Sequence, residues 1–231
     1  MSTMTPGHVR ISVIIPTLEE ESAIAPTISS AAGADEILVI DGGSRDRTCE
    51  IATAAGARLV SSVPGRGRQL AAGVRAARGD VLLFLHADTR LPAGFADEVR
   101  RMVTNGGCSW GRFDLRFDRD TPLLALIALL ISWRSRITRG ATGDQAIFVR
   151  RDEYERVGGI SEDELFEDVS LCRRLKRDGR MGVPAGVVIT SSRRWRRGGT
   201  IRTSLLMWAL KALYLAGVPA ARLARFYPNV R

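Results

Sequence analysis

Carboxylate side chains follow two apolar segments that have the composition of buried strands. Asp41 comes directly after ILVI at 37–40 and precedes two glycines, and Asp88 follows VLLFLHA at 81–87. A carboxylate such as Asp88 suits a hard divalent cation, Mn²⁺ or Mg²⁺, whose other ligands come from water and a diphosphate. Asp41 could accept hydrogen bonds from a base or a ribose, or simply open a turn before a helix.

A histidine and a Gly/Arg loop add polar groups near these carboxylates. His86 lies two residues before Asp88, and therefore on the same side of an extended chain. It could ligate the metal, hydrogen-bond a ribose or be a satisfied, partly buried histidine. Arg66 and Arg68 belong to the loop PGRGRQ at 64–69, which opens a predicted helix. Guanidinium groups and helix N-termini favour phosphate oxygens, although a flexible loop has the same composition.

An acidic pair, Glu167-Asp168, begins a third candidate segment, a helix predicted over 167–177. The pair could serve only the helix dipole, or it could present a general base, and the residues alone do not choose between the two carboxylates. Further polar groups stand beside two predicted strands and offer contacts to an acceptor or a diphosphate: Asp144, Gln145, Arg194 and Trp195.

The elements that must position these residues alternate between strand and helix patterns in the first half of the chain. Strands are predicted over 9–17, 36–40, 57–62 and 81–85, and helices over 19–32, 44–55 with Ser44 as N-cap, 67–78 and 92–104. Such alternation indicates an α/β fold with a mostly parallel central sheet and helices on both faces. Ligands of open α/β sheets bind outside the carboxyl ends of the strands, where Asp41 and Asp88 fall.

The second half of the chain has a less regular pattern. Strands are predicted over 107–117, 143–150 and 187–191, and a long apolar-rich helix over 201–215. We expect one domain over residues 1–200 and a C-terminal helical extension, 201–231, packed on it.

Composition narrows the class of protein. The chain has 231 residues, a hydrophobic fraction of 45% and a net charge of +9, which predicts one globular domain and excludes general disorder. No uncharged apolar run reaches the ~18–20 residues of a membrane span, so a polytopic membrane protein is excluded. Three scattered cysteines and an N-terminus without an apolar leader predict a cytoplasmic protein.

Several catalytic motifs are missing from the sequence. It contains no G-x-G-x-x-G after the first strand, no P-loop, no G-x-S-x-G and no H-E-x-x-H. Redox, nucleotide-hydrolysing and zinc-hydrolase functions therefore have little support.

The remaining segments together resemble the family 2 glycosyltransferases, the large inverting class with the GT-A fold, and in particular a small bacterial "transferase 2" subgroup. The matching segments, in register over most of residues 9–200, are SVIIPTLEEE at 12–21, VIDGGSRDRT at 39–48, the Gly/Arg loop, LLFLHADTR at 82–90 and FEDVSLCRRL at 166–175. His86 stands where the first Asp of the family's D-x-D motif often stands, and Arg194-Trp195 only partly matches its Q-x-x-R-W motif.

The resemblance implies roles for individual residues. Pro16, Thr17, Glu19 and Asp41 correspond to nucleotide-binding positions, Asp88 to the metal-binding aspartate and Asp168 to the catalytic base. We therefore expect a metal-dependent glycosyltransferase that moves a sugar from a nucleoside diphosphate to an acceptor hydroxyl with inversion.

Two other functions are weighed against this one. A nucleotidyltransferase on a similar scaffold would need a Gly-rich loop where Pro16 to Glu19 stand. A basic nucleic-acid-binding module could use the segment 173–202, which holds ten basic residues and one acid. Carboxylates at the strand ends would repel nucleic-acid phosphates, so no nucleic-acid partner is expected.

The last expectation concerns membranes. A basic segment directly precedes the apolar helix predicted over 201–215, which is what an interfacial anchor on an anionic leaflet needs. Residues 193–215 are therefore predicted to hold the protein at the inner face of a membrane, near a lipid-linked acceptor, whereas the alternative is a buried core helix.

Overall fold

The computed structural model of the protein describes residues 8–119, 121–162 and 166–226, without the side chains at positions 197, 215, 221 and 224. Its strands are β1 (Ile11–Thr17), β2 (Glu36–Asp41), β3 (Arg58–Ser61), β4 (Val81–Phe84), β5 (Thr89–Arg90), β6 (Trp110–Gly111), β7 (Asp114–Phe117), β8 (Ile147–Arg150), β9 (Met181–Gly182) and β10 (Val187–Thr190). Its helices are α1 (Ile24–Ser30), α2 (Thr48–Ala54), α3 (Arg66–Ala76), α4 (Phe95–Thr104), α5 (Pro122–Thr138), α6 (Arg151–Arg156), α7 (Glu167–Asp178), α8 (Arg193–Gly198), α9 (Thr200–Leu215) and α10 (Ala220–Leu223).

The central sheet has seven strands in the order β3-β2-β1-β4-β8-β6-β9. The first four are mutually parallel, β8 runs antiparallel to both of its neighbours, and β6 and β9 are parallel. The register pairs Thr17 with Asp41, so β1 and β2 end side by side, and Leu85 continues from β4 along β1. The loops that carry the predicted site residues therefore leave the sheet at one edge.

Alternating side chains of the central strands pack into two separate layers. On one face, Val13, Val39 and Leu83 pack with α1 and α4. On the other face, Ile14, Leu38 and Leu82 pack with α3 and α7. Because successive residues of a strand point to opposite faces, the fully apolar strands bury both faces of the sheet. The predicted covering of both faces by helices is confirmed.

A smaller sheet of order β5-β10-β7 stands beside the main one. The strand predicted over 107–117 is wrong as a single element, because β6 joins the central sheet and β7 the small one. Arg112 marks the break: its side chain is fully buried, pairs with Asp114 and donates to the Ser132 carbonyl at 3.0 Å. The burial of this guanidinium against its partners coincides with the point where the chain leaves the central sheet after β6 and enters the small sheet at β7.

Two predicted helices begin later than the sequence suggests. The first begins at Ile24, and Glu19 to Glu21 lie before it. The second begins at Thr48, so Ser44 is not its N-cap. Instead, the loops at 19–21 and 44–48 exchange hydrogen bonds: the amides of Glu19, Glu20 and Glu21 donate to the side chains of Ser44, Thr48 and Asp46 at 2.8–3.1 Å. The amides of Arg45 and Arg47 donate back to Glu19 and Glu21.

The strand predicted over 143–150 is also shorter than expected. Gly143–Gln145 forms a 3-10 turn capped by Thr142, and only Ile147–Arg150 is extended.

The C-terminal helices pack on the rest of the chain. Leu210 and Leu223 are buried in a cluster with Phe166, and α9 also contacts α5. Within the described residues, no helix combines the length and apolar character that a membrane crossing requires. The boundary predicted at residue 200 stays a prediction.

Candidate active site

A cleft of about 660 Å³ opens at the carboxyl edge of the central sheet, beyond the ends of β1 and β4. Most of the predicted site residues line it: Pro16, Thr17, Arg66, Arg68, His86, Asp88, Asp144, Glu167, Asp168, Arg194 and Trp195. Residues from distant parts of the sequence therefore meet at the edge that strand direction predicts.

Asp41 and Glu19 do not line the cleft, and their carboxylates shape the loops behind it. Asp41 accepts hydrogen bonds from the amides of Gly43 and Ser44, both at 2.9 Å, and from the Ser44 hydroxyl at 2.5 Å. Burial would raise the pKa of Asp41, but these hydrogen bonds outweigh it and lower the pKa. Asp41 thus closes the tight turn at Gly42-Gly43, and a direct contact of Asp41 or Glu19 with a nucleotide stays a prediction.

Gln145 also turns away from the cleft. It is fully buried, accepts from the Ser135 hydroxyl at 2.8 Å and fixes the turn that begins at Thr142. Its role is to hold Gly143 and Asp144 at the cleft wall. Its hydrogen bonds are those of a structural residue, and the contact of Gln145 with an acceptor or diphosphate stays a prediction.

A carboxylate pair and an arginine form the charged centre of the cleft. The Arg193 Nε lies 3.2 Å from the Asp88 Oδ2, and the Arg193 Nη2 donates to the Glu20 Oε1 at 2.5 Å. Burial raises the pKa of Asp88 and Glu20 adds to the rise, whereas the positive charges of Arg193 and Arg194 oppose it. Glu20 and Asp88 therefore share Arg193 as an ion-pair partner.

The residues around Asp88 fit a divalent cation. Asp88 and Glu20 offer carboxylate oxygens, the donors that Mn²⁺ and Mg²⁺ prefer. The Glu20 Oε2 is buried and has no hydrogen-bond partner in the described part of the chain. Among the described residues, no three His, Cys, Asp or Glu side chains are grouped to hold a metal by themselves. A cation here would share its coordination with oxygens of a ligand.

His86 lies deep in the cleft beside cations. Desolvation lowers its pKa well below the usual value, and the charges of Arg66, Arg194 and Arg193 lower it further. A Cβ atom added at Gly143 would come within 2.5 Å of the His86 Nε2, so only glycine leaves room for this ring. The lowered pKa favours the neutral imidazole, which can accept a hydrogen bond or ligate a metal.

The two members of the acidic pair have different surroundings. The Glu167 carboxylate is buried and forms an ion pair with Arg66, whose Nε lies 2.5 Å from its Oε1. The Asp168 Oδ2 accepts from the Gly143 amide at 2.6 Å, and its Oδ1 accepts from the Val169 amide at 2.7 Å. Backbone amides thus orient Asp168 toward the cleft, whereas Glu167 has an arginine as its partner.

One part of the cleft lining, which we call the acceptor wall, is formed by Trp195 and by apolar residues of α5 and α9. Trp195 packs edge-on against Phe117, with ring centroids 4.5 Å apart, and its Nε1 donates to Ser204 at 3.2 Å. Ile127 and Ile131 of α5 and Met207 and Trp208 of α9 also line this wall. An acceptor with an apolar part would find complementary surface here.

Several charged residues of the cleft escape the sequence-based prediction, among them Glu20, Arg134, Arg193 and Lys211. Glu20 and Arg193 become recognisable only when the loop after β1 meets the start of α8. Burial lowers the pKa of Lys211, and Arg134 adds to this, while Asp168 and Asp144 raise it. A single lysine in an otherwise apolar helix was the available signal for Lys211.

Comparison with known proteins places this cleft in context. The family model described as "Glycosyl transferase family 2" matches residues 12–149, more than half of the chain. A glucosyl-3-phosphoglycerate synthase of Mycolicibacterium paratuberculosis is 39% identical over 92 residues, which cover 34% of this chain and 28% of that protein. An uncharacterized glycosyltransferase of Mycobacterium tuberculosis is 27% identical over 135 residues, covering 54% of this chain and 59% of that protein. The chain thus matches only part of the length of these relatives.

Solved structures extend the likeness to most of the chain. The glucosyl-3-phosphoglycerate synthase from Mycobacterium tuberculosis, in complex with Mn²⁺, UDP-glucose and phosphoglyceric acid, has a TM-score of 0.63 and 25% identity, over 91% of this chain and 81% of that one. A mannosyltransferase from Pyrobaculum calidifontis, in complex with GDP-Man and Mn²⁺, has a TM-score of 0.64 and 20% identity, over 89% and 65%. The predicted GT-A type of α/β fold is confirmed, and the family match disfavours the nucleotidyltransferase and nucleic-acid-binding alternatives.

Proposed function

Because the chain belongs to glycosyl transferase family 2, we propose that it transfers a sugar from a nucleoside diphosphate to an acceptor hydroxyl. The transfer inverts the configuration at the sugar carbon and uses Mn²⁺ or Mg²⁺. The observation that carries the proposal is the meeting of Asp88 and Asp168 in one cleft at the carboxyl edge of the sheet. A one-step displacement needs positive charge at the leaving diphosphate, which a cation held by Asp88 would supply, and a base at the attacking hydroxyl.

Asp168 is the general base of this proposal. The amides of Gly143 and Val169 fix the orientation of its carboxylate, which remains able to accept the proton of an acceptor hydroxyl. Glu167 is the weaker candidate, because its carboxylate is already paired with Arg66. The pairing orients Arg66 at the start of α3, where a helix N-terminus and guanidinium groups would contact the donor phosphates together with Arg68.

Asp88, with Glu20 beside it, would hold the divalent cation. When bound, the cation neutralises the charge that develops on the departing diphosphate. Arg194 also lines the cleft and would add a positive charge near the phosphates. The nucleoside would lie over Pro16 and Thr17 at the end of β1. This placement is supported by the position of both residues in the cleft lining.

A thermal-shift panel tests the donor and metal parts of this proposal. UDP, GDP, TDP and their sugars would each be added with and without Mn²⁺. A ligand at 100-fold excess over its Kd stabilises the folded state by ~2.7 kcal/mol. We expect one base to raise the melting temperature, and to need Mn²⁺ for the full effect. The absence of a shift with every nucleotide, with and without metal, would contradict the proposal.

A membrane-bound acceptor is the second part of the proposal. Large side chains of α5 and α9 are exposed, and together they form what we call the apolar face: Leu123, Leu126, Leu129, Trp133, Ile137, Ile201, Leu205, Trp208 and Leu213. Exposed arginines flank it, among them Arg136, Arg139 and Arg202. Apolar side chains with flanking cations suit an anionic bilayer surface.

The apolar face supports peripheral membrane association through residues 193–215, joined by α5. The same two helices line the acceptor wall of the cleft, so a lipid-linked acceptor would reach Asp168 from the bilayer. Three free cysteines are consistent with a cytoplasmic protein at the inner face of the membrane. The alternative is a soluble anionic acceptor, because the solved relative holds phosphoglyceric acid. Co-sedimentation with anionic and neutral liposomes decides between the two.

A further inference from the structure

Arg193 occupies the position between the two carboxylates that would hold the cation. It is the first residue of α8, whereas Glu20 lies in the loop after β1 and Asp88 in the loop after β4. Its guanidinium bridges them, at 3.2 Å from the Asp88 Oδ2 and 2.5 Å from the Glu20 Oε1. A guanidinium and a divalent cation would thus compete for the same oxygens.

The guanidinium of Arg193 compensates the negative charges of Glu20 and Asp88. The side chains of Glu20, Asp88 and Arg193 are only 14, 17 and 24% exposed. Neighbouring carboxylates that have lost water repel each other, and a cation between them relieves the repulsion. Without a metal, Arg193 is therefore the counter-charge for both Glu20 and Asp88.

The segment that carries Arg193 is short and ends at two glycines. Helix α8 has six residues and ends at Gly198, and Gly199 separates it from α9. Gly199 has a positive φ of 77°, and an added Cβ there would meet no atom within 4 Å. The cleft beyond Asp88 holds the proposed diphosphate position, lined by Arg66 and Arg194.

We propose that Arg193 is a positioning residue that exchanges with the divalent cation. Before substrate binds, it neutralises Asp88 and Glu20. When the cation takes their oxygens, the guanidinium is released toward the oxygens of the diphosphate. This inference rests on the proposed function, because it takes Asp88 as the carboxylate that holds the metal.

The exchange makes metal and nucleotide binding cooperative. A cation that arrives alone must displace Arg193 and leave the guanidinium without a partner. A nucleoside diphosphate supplies that partner, so each ligand strengthens the binding of the other by the same factor. Couplings of this kind are typically 5–150-fold.

Mn²⁺ titration followed by electron paramagnetic resonance tests the exchange without measuring activity. The wild-type protein, R193Q and R193K would be titrated with and without the nucleoside diphosphate identified by thermal shift. R196Q is the matched control, because Arg196 is exposed on the same helix. We expect R193Q to bind Mn²⁺ alone about tenfold more tightly than the wild type and to lose most of the coupling to the nucleotide. R193K should show a smaller gain, since an ammonium cannot span two carboxylates as a guanidinium does. R196Q should bind like the wild type.

The outcomes separate a failure of the proposed exchange from a failure of the proposed metal site. Mn²⁺ affinity of R193Q equal to or below that of the wild type, while D88N loses Mn²⁺, would overturn the exchange and leave the proposed metal site intact. Absence of Mn²⁺ binding in all variants, even with nucleotide, would overturn both. If R193Q does not fold, R193K decides alone: Mn²⁺ affinity no higher than that of the wild type overturns the exchange.

Discussion

Asp168 and Glu167 are neighbours in the sequence, yet their partners prepare them for different tasks. A carboxylate held by backbone amides keeps its orientation and can still take a proton, whereas one paired with an arginine is better suited to fixing that arginine. Because of this difference, substitution of the two residues should have separable kinetic effects.

We predict that Asp168→Asn lowers kcat by about 10²–10⁴-fold, the range expected for loss of a general base, with donor binding retained. The measurement is kcat together with the nucleotide Kd. Glu167→Gln is the matched comparison. It should weaken donor binding through Arg66 and reduce kcat less than Asp168→Asn. A larger kcat loss in Glu167→Gln would reverse the assignment within the pair.

Asp88 gives a second prediction at this scale. Asp88→Asn should abolish the metal-supported part of nucleotide binding, because an amide oxygen is a weaker ligand for Mn²⁺ than a carboxylate. The fold should survive, since the substitution removes a desolvated carboxylate from the cleft. Thermal shifts with UDP or GDP, with and without Mn²⁺, measure both effects. Undiminished nucleotide affinity in Mn²⁺ would remove Asp88 from the metal site.

At the scale of elements, Asp35 joins three parts of the fold. Its carboxylate accepts from the Ile11 amide at the start of β1, from Arg100 of α4 and from His8. Burial would raise its pKa, but the hydrogen bonds from Ile11, His8 and Arg100 and the charge of Arg100 outweigh this and lower the pKa to about 2. A lowered pKa in the folded state stabilises the protein above the unfolded-state pKa, here 3.8, and the stabilisation disappears as the pH falls toward 2.

We therefore predict that Asp35→Asn lowers the free energy of unfolding at pH 7 by about 1–2 kcal/mol, after allowance for partial exposure. The difference from the wild type should shrink as the pH falls from about 4 toward 2. Urea unfolding at several pH values measures it. Asp97→Asn is the matched control, because Asp97 also pairs with Arg100 but has an 88% exposed side chain. Equal losses for both variants would contradict the role of Asp35.

The elements also show which part of the molecule could be predicted from sequence. Asp41, His86 and Asp88 were found because they follow apolar runs, and parallel strands end at one edge. Glu20 and Arg193 were missed because only tertiary packing brings the loop after β1 to α8. The break between β6 and β7 is not visible in the sequence, because a charged residue in a strand pattern suggests an exposed side chain. Arg112 is instead buried, with the Ser132 carbonyl of α5 as one of its partners.

The helix starts were misplaced for a related reason. Acidic residues at 19–21 and Ser44 have the composition of helix N-termini. In the structure, residues of these two loops hydrogen-bond to each other across the gap between them. Side chains with the composition of helix N-caps therefore have their partners in the other loop and do not begin a helix.

At the scale of the whole molecule, the apolar face and the acceptor wall lie on the same two helices, α5 and α9. Leu129 and Trp133 are 65% and 61% exposed, while Ile127 and Ile131 of the same helix are buried or line the cleft. Contact of the outer side with a bilayer would thus bring the inner side to the acceptor.

We predict that Leu129→Ser and Trp133→Ser each weaken binding to anionic liposomes several-fold, with little change in melting temperature, because the lost apolar surface is already exposed in the protein. Co-sedimentation at increasing salt measures the binding. Leu59→Ser is the control, since Leu59 is exposed on edge strand β3, away from this face. Equal effects of all three substitutions, or no wild-type binding to anionic vesicles, would favour a soluble acceptor.

The paired loops at 19–21 and 44–48 have a consequence for the thermodynamics of donor binding. Their reciprocal hydrogen bonds, and those that Asp41 receives, join protein groups to one another and need no ligand. The end of the cleft beside β1 and β2 is therefore preorganised, and a nucleoside would lose little affinity to the ordering of backbone. We expect the heat-capacity change of nucleotide binding, measured by calorimetry at several temperatures, to match the surface covered by the ligand, without the larger negative value that accompanies coupled folding.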